Sequence, residues 1–229
     1  MIFRKAILII HGFAGGVYDE EYLAHRLELI RNYDVYSFTL AGHDGLFKAN
    51  MKEIDWINSA EKMIQFLIEN DYNNIYVIGH SMGGVIATHL ASKYKEVKKL
   101  VLISAAFKFT GLKEESFSVF ESLKKTPEIV KKYPKDEILT RLIKMPIHAI
   151  KEFANLVKNH EKCLKEIQIP TLIIQGNNDD LVPLDTTSFI YNEIPSEDKT
   201  IKIYDGVTHD VFRCDKKEEI TNDIIDFLK

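Results

Sequence analysis

The sequence predicts an α/β fold in which a doubly wound, mostly parallel β-sheet is covered by helices on both faces and carries a small inserted helical cap. Short β-branched runs alternate with amphipathic stretches along most of the 229 residues, which is typical of parallel strands connected by helices. The strongest runs, residues 6–10 (AILII) and 100–103 (LVLI), are apolar without the polar alternation of a half-exposed strand. The sheet is therefore expected to be buried on both sides.

The predicted elements follow one another in the order that such a sheet requires. Strands are predicted at residues 6–10, 34–40, 75–79, 100–104, 171–175 and 200–204. Helices are predicted where apolar residues return every three or four positions, at residues 19–32, 54–70, 83–94, 185–192 and 216–228. Each helix lies between two strands or after the last one.

The alternation is interrupted between residues 108 and 165, a segment without a convincing strand. Phe153, Leu156 and Val157 in this segment have the spacing of an apolar helix face. We therefore predict one α/β core made of residues 1–107 and 166–229, with a helical cap at residues 108–165 inserted into the same domain.

Composition and charge exclude several classes of protein. The chain is 45% hydrophobic and 28% charged, close to the average of soluble globular proteins. A net charge of −4 without a basic stripe predicts no nucleic-acid partner. The sequence shows neither a signal-peptide pattern nor an apolar stretch long enough for a bilayer, so we expect no membrane span and a cytoplasmic location. Cys163 and Cys214 lack the paired spacing of a zinc or redox site, so two free thiols and no metal site are expected.

The pentapeptide Gly79-His80-Ser81-Met82-Gly83 connects a predicted buried strand to a predicted helix. Glycines two residues before and after a serine permit a sharp, strained turn that pushes the hydroxyl into the cleft. The backbone N–H of Met82, at the positive end of the new helix, can donate to an oxyanion. Ser81 is therefore the predicted nucleophile, and the alternative is an ordinary glycine-rich turn.

A nucleophilic serine needs a general base, and an imidazole with a pKa near 6.5 is suited to that role. His209 is the best candidate, because it follows the last predicted strand at the carboxyl edge of the sheet, where α/β sites assemble. The other histidines have simpler interpretations: His25 and His89 lie in helices, His148 and His160 in the insert, His80 at a variable position of the Ser81 turn, and His11 and His43 in loops that shape the cleft.

The third member of such a triad is an acid that orients the imidazole. The predicted strand at 171–175 leads into Asp179 and Asp180, which are adjacent and cannot both reach the same ring nitrogen. Periodicity leaves this choice open. With either acid the chain order is Ser…Asp…His, which differs from the orders in chymotrypsin and subtilisin. A second oxyanion donor is expected in the glycine-rich loop after the first strand, where Phe13 would donate through its backbone N–H.

These motifs resemble those of the α/β-hydrolase superfamily, and more closely those of small bacterial carboxylesterases related to monoacylglycerol lipases. The resemblance rests on His11-Gly12-Phe13, the Ser81 pentapeptide, Gly176-Asn177-Asn178-Asp179 with Val182-Pro183, and Gly206 to His209. It implies that Asp179 is the acid, that esters are hydrolysed, and that neither a metal nor an organic cofactor takes part. Gly42-His43-Asp44-Gly45 departs from the family's usual Gly-His-Gly, which affects expectations for the substrate pocket.

The resemblance implies a small-molecule ester as the partner of a monomer or homodimer. Short-to-medium acyl chains are expected, because the cap is modest and supplies apolar candidates: Phe109, Phe117, Phe120 and Leu123. Monoacylglycerol lipase, thioesterase, amidase, peptidase and carbon–carbon hydrolase activities use much the same triad and remain alternatives. A ligand-binding protein with this fold is the non-enzyme alternative, although such a protein usually lacks a triad residue.

Overall fold

The six strands form a single parallel sheet in the order β2-β1-β3-β4-β5-β6. The protein is represented by a computed structural model that describes residues 5–44, 51–108 and 147–229. The strands are β1 (Lys5–Ile10), β2 (Tyr33–Ser37), β3 (Ile75–His80), β4 (Val97–Ile103), β5 (Thr171–Gly176) and β6 (Lys199–Tyr204). All six predicted strands are present, and the predicted fold class is confirmed.

Helices connect the strands and lie on both faces of the sheet. They are α1 (Glu21–Glu28), α2 (Glu53–Glu69), α3 (Met82–Lys93), α4 (Ile147–His160), α5 (Asp185–Glu193) and α6 (Lys217–Leu228). Short 3₁₀ turns occur at Val17–Asp19, Glu161–Glu166 and Val211–Arg213. Within the described ranges, no helix has both the length and the apolar character needed to span a membrane.

The two faces of the sheet have separate apolar cores. Alternate residues of β1 show this division: Leu8 packs in the core that includes α2, α3 and α4, whereas Ile7 packs in the core that includes α1 and α6. Both side chains are fully buried. This arrangement explains why the strand has no polar alternation, because neither of its faces meets solvent.

The strand order reverses between β1 and β3, since the chain runs first from β1 to the edge strand β2 and then back across β1 to β3. In parallel sheets, ligands bind outside the carboxyl ends of the strands at such a switch point. The loop after β1 and the turn after β3 meet there. The fold therefore places the Ser81 turn where a cleft is expected.

Two elements end three or more residues earlier than the sequence predicts, and β4 begins three residues earlier, at Val97. Strand β2 ends at Ser37 rather than residue 40, because it pairs only with β1 and the last pair is Ile9 with Ser37. Helix α1 begins at Glu21 and ends at Glu28 rather than spanning 19–32. Asn32 has a φ of +81°, which an α-helix cannot contain. A turn at residues 29–32 thus replaces the end of the predicted helix, and irregular chain at residues 38–40 replaces the end of the predicted strand.

The apolar helix face predicted in the insert belongs to α4. Phe153, Leu156 and Val157 are buried in the core that also includes α2 and α3. Most of the predicted cap, including Phe109, Phe117, Phe120 and Leu123, lies outside the described residues. The division into core and cap at residues 108 and 165 therefore stays a prediction.

Replacing Leu156 with alanine should lower the free energy of unfolding by about 2–5 kcal/mol, because the side chain is fully buried and its loss leaves a cavity. Urea denaturation monitored by circular dichroism measures the change. Leu29→Ala is the matched control, since Leu29 is 70% exposed and should change stability by no more than about 0.5 kcal/mol. Equal losses in the two variants would contradict the packing of α4 on the core.

Candidate active site

Ser81 lies in a strained turn between β3 and α3, with φ +55° and ψ −119°. A non-glycine residue in this region costs about 1–3 kcal/mol and persists only where its surroundings enforce it. The flanking glycines permit the close packing of the turn. A Cβ at Gly79 would lie 2.3 Å from the carbonyl oxygen of Gly83, and a Cβ at Gly83 would lie 2.2 Å from that of Ile10.

Backbone hydrogen bonds hold the Ser81 turn in place. The N–H of Ser81 donates to the carbonyl of Ile103 at the end of β4, at 2.9 Å. The carbonyl of Ser81 accepts from the N–H groups of Gly84 and Ala106, at 3.0 and 3.1 Å. The turn is thus fixed by the neighbouring strand and by its own helix, which is how the strained conformation is maintained.

His209 and Asp179 are hydrogen bonded to each other at the carboxyl edge of the sheet. Nδ1 of His209 donates to Oδ2 of Asp179 at 2.8 Å. His209 is 8% exposed and lies between β6 and the 3₁₀ turn at Val211–Arg213. Because Asp179 occupies Nδ1, Nε2 is the nitrogen that can accept a proton from a nucleophile.

Asp179, and not its neighbour Asp180, makes the contact with His209. Oδ1 of Asp179 accepts from the N–H groups of Leu181 and Val182, both at 2.9 Å. Oδ2 also accepts from the side-chain amide of Gln175 at 2.9 Å. Burial opposes the charge of Asp179, but His209 and the two backbone donors outweigh it and lower its pKa below the usual value. Asp179 is therefore held as a carboxylate, whereas Asp180 is exposed to solvent.

The described contacts bring His209 close to Ser81 without joining them. The ring of His80, the residue before Ser81, lies 5.1 Å from the ring of His209 between centroids. Among the described contacts, Ser81 and His209 share no hydrogen bond. Such bonds are often loose without substrate and tighten in the Michaelis complex, so the geometry is compatible with base catalysis.

The two sequence-predicted oxyanion donors belong to segments that adjoin Ser81. Met82 is the first residue of α3, so its N–H has no acceptor within the helix. The loop after β1 runs against the nucleophile, because a Cβ at Gly12 would lie 3.1 Å from the Cβ of Ser81. Phe13 follows Gly12 directly, which brings its backbone into this region. The assignment of these two N–H groups to an oxyanion hole stays a prediction.

The Phe13 side chain belongs to an aromatic cluster that joins the loop after β1 to α2 and α4. Its ring stacks on Phe153, with centroids 5.2 Å apart. It also contacts Trp56 edge to face at 5.7 Å and His43 at 6.2 Å. Trp56 and Phe153 are buried and Phe13 is partly exposed, so the cluster ties the loop after β1 to the apolar core.

His11 and His43 stabilise the loops around this region. Nε2 of His11 accepts from the N–H of Leu40 at 3.0 Å, and Nδ1 donates to the carbonyl of Gly12 at 2.8 Å. Burial is the main cause that lowers the pKa of His11 to about 4, so the ring is neutral at pH 7. Nε2 of His43 accepts from the N–H of Ala14 at 3.2 Å. Both rings thus hold neighbouring loops together, and their role in shaping the cleft stays a prediction.

His80 and Glu20 form a buried pair that contacts the backbone of His209. Sequence reasoning did not find this pair. Nδ1 of His80 bonds to Oε1 of Glu20 at 2.7 Å, and Nε2 donates to the backbone carbonyl of His209 at 3.1 Å. Burial alone would lower the pKa of His80, but the hydrogen bond and charge of Glu20 outweigh it and raise this pKa to about 9. The protonated ring thus anchors the backbone of His209. The only local signal was a histidine directly before Ser81, since Glu20 is sixty positions away.

The raised pKa of His80 predicts a pH-dependent contribution to stability. It lies above the usual value of about 6.5, so the stabilisation is fully present below pH 6.5 and is lost as the pH rises through about 9. The difference in unfolding free energy between wild type and His80→Gln should therefore shrink between pH 6.5 and 9, by on the order of 1–3 kcal/mol. Urea denaturation of both proteins at the two pH values measures it. A difference that stays constant would contradict a protonated His80.

Comparison with known proteins places this chain in a family. The model of a family described as serine aminopeptidase, S33, matches residues 3–216. A carboxylesterase of Bacillus subtilis is 25% identical, and the match covers 98% of this chain and 92% of that protein. A monoacylglycerol lipase of Mycolicibacterium smegmatis is 21% identical, with 98% of this chain and 88% of that protein covered.

A solved structure from the metagenome-derived lipolytic enzymes LipS and LipT has the same fold. Its TM-score is 0.77 at 22% identity, and the superposition covers 98% of this chain and 93% of that one. The family match spans nearly the whole chain. The resemblance to α/β-hydrolases predicted from the sequence is thereby confirmed, and this chain belongs to the serine aminopeptidase S33 family.

Proposed function

We propose that this protein is a serine carboxylesterase that hydrolyses esters of short-to-medium acyl chains, with Ser81, His209 and Asp179 as its catalytic triad. The observation that carries the proposal is the 2.8 Å hydrogen bond between His209 and Asp179 beside the strained Ser81 turn. At the coarser level the reaction class is that of a carboxylic ester hydrolase, since relatives with esterase and lipase names match almost the whole chain.

In the proposed first half-reaction, Nε2 of His209 takes the proton of Ser81 as Oγ attacks the ester carbonyl. Asp179 keeps Nδ1 protonated and stabilises the imidazolium that forms. His209 then gives its proton to the leaving alcohol, and an acyl group remains on Ser81. In the second half-reaction, water replaces the alcohol and the acid is released by the same proton transfers.

The negative charge on the reacting carbonyl oxygen needs donors that are already in position. We assign this role to the backbone N–H groups of Met82 and Phe13, which lie on the two loops that meet at Ser81. Losing one such donor typically costs about 10²–10³-fold in rate. Because both donors belong to the backbone, side-chain substitutions at these positions should affect them less than changes in the glycines that shape the turns.

The partly exposed ring of Phe13, which packs on the buried rings of Trp56 and Phe153, supports an apolar acyl group as the preferred substrate. A monoacylglycerol lipase is the second candidate, because a relative with that name matches 98% of the chain. The two candidates share the triad and differ in the length of acyl chain and in the alcohol that they accept.

The assignment of the acid predicts unequal effects for two adjacent substitutions. Asp179→Asn should lower kcat by about 10³–10⁴-fold, because an amide cannot hold the His209 tautomer or stabilise its protonated form. Asp180→Asn is the matched control and should change kcat little, since this side chain is exposed. Steady-state hydrolysis of a nitrophenyl ester by both folded variants measures the effect. Greater damage from Asp180→Asn would reassign the acid.

The proposed substrate class predicts a profile of activity over chain length. A panel of nitrophenyl esters and monoacylglycerols with increasing acyl chains should give the highest kcat/KM at short-to-medium lengths. Acyl thioesters and amino-acid nitroanilides in the same panel test the thioesterase and peptidase alternatives, and they should be poorer substrates. Maximal activity on long-chain monoacylglycerols would favour the lipase, and a preference for nitroanilides would contradict ester hydrolysis as the main reaction.

A further inference from the structure

Three potential metal ligands converge at a place that the catalytic residues do not use. His89 is on α3, His160 is the last residue of α4, and Cys163 is in the 3₁₀ turn that follows. One potential ligand atom from each residue lies within 4.8 Å of the others. In the part of the chain that the structure describes, this is the one group of three histidine, cysteine or acidic residues that meets this distance.

The two imidazole rings already have the spacing of ligands that share a metal ion. Nδ1 of His89 and Nδ1 of His160 are 3.2 Å apart, and the rings are nearly perpendicular at 85°. Zinc–nitrogen bonds of about 2.0–2.1 Å in a tetrahedral site place two nitrogens about 3.3 Å apart. Cys163 completes the set, because its Sγ lies within 4.8 Å of a nitrogen of each ring.

Glu61 on α2 orients the first of these rings. Nε2 of His89 donates to Oε1 of Glu61 at 2.7 Å, and the same oxygen accepts from Lys93 at 2.6 Å. With the proton held on Nε2, the lone pair of Nδ1 faces His160 and Cys163. In zinc sites, a ligating histidine often donates its other ring N–H to a carboxylate. This hydrogen bond raises the basicity of the ligating nitrogen.

We propose that His89, His160 and Cys163 bind one Zn²⁺ ion, with a water molecule as the fourth ligand. Imidazole and thiolate together suit Zn²⁺, whereas Ca²⁺ and Mg²⁺ prefer oxygen ligands. When the ion binds, the Cys163 thiol gives its proton to solvent. The proton on Nδ1 of His160 moves to Nε2 of the same ring. The sequence prediction of free thiols without a metal site did not include this group.

The proposed zinc ion would stabilise the fold and would take no part in ester hydrolysis. Ser81 precedes the first turn of α3, and His89 lies eight residues later, which is about 12 Å along a helix axis. The ion would join α3, which begins at the nucleophile, to α4 and its following turn. Since the unfolded chain does not hold these three residues together, zinc should stabilise the folded state by mass action.

Zinc binding is tested with tag-free protein stripped of metal by a chelator. Competition with a chromophoric zinc indicator should show one Zn²⁺ per chain. Cys163→Ser and His160→Gln should weaken binding by more than 100-fold, and Glu61→Gln by about 10–100-fold. Cys214→Ser and His25→Gln are matched controls outside the cluster and should bind as wild type does. Binding that is absent in wild type, or that survives both ligand substitutions, would overturn the proposal.

Cobalt substitution keeps the test decisive if a ligand variant fails to fold. Wild-type protein loaded with Co²⁺ should show a sulfur-to-cobalt charge-transfer band and the intense visible bands of tetrahedral cobalt. The thermal midpoint of the wild type should also rise with added Zn²⁺, as it should for Cys214→Ser. A cobalt spectrum without sulfur coordination, or an unchanged midpoint at saturating zinc, would contradict the site in the wild-type protein itself.

Discussion

The strained backbone of Ser81 is the constraint on which the rest of the site depends. A serine at φ +55° is unfavourable, and the structure maintains it through the flanking glycines and three backbone hydrogen bonds to Ile103, Gly84 and Ala106. This single turn fixes the direction of the hydroxyl and the start of α3, and with it the N–H of Met82. The other parts of the site need only be brought to a place that β3 and α3 already define.

The histidines around this turn differ in protonation and in the groups that they contact. His11 is neutral because burial lowers its pKa to about 4, and its nitrogens hold the loop that contains Phe13. His80 is protonated because Glu20 compensates for burial, and it holds the backbone of His209. His209 is directed by Asp179. We infer that only His209 has a nitrogen positioned to exchange a proton with Ser81.

The fold and the main site were predictable because their signals are local in sequence. Uninterrupted apolar runs predicted the buried strands, and the glycines around Ser81 predicted the turn. Choosing Asp179 over Asp180 required the family resemblance, since both follow β5 and only the folded loop directs one of them to His209. The pairs His80–Glu20 and His89–Glu61 escaped sequence reasoning, because their members come from distant elements and meet only through packing. His160 and Cys163 are three residues apart, but nothing nearby in sequence indicates His89 as their partner.

Covalent modification of Ser81 tests most directly whether this residue is the nucleophile. A fluorophosphonate probe should add once per chain, and peptide mass spectrometry should locate the adduct on Ser81. Ser81→Ala should take up no probe while keeping the wild-type circular dichroism spectrum, whereas Ser188→Ala, an exposed serine on α5, should be labelled fully. An adduct on another residue, or a folded wild-type protein that is not labelled, would contradict the account and favour a ligand-binding protein with this fold.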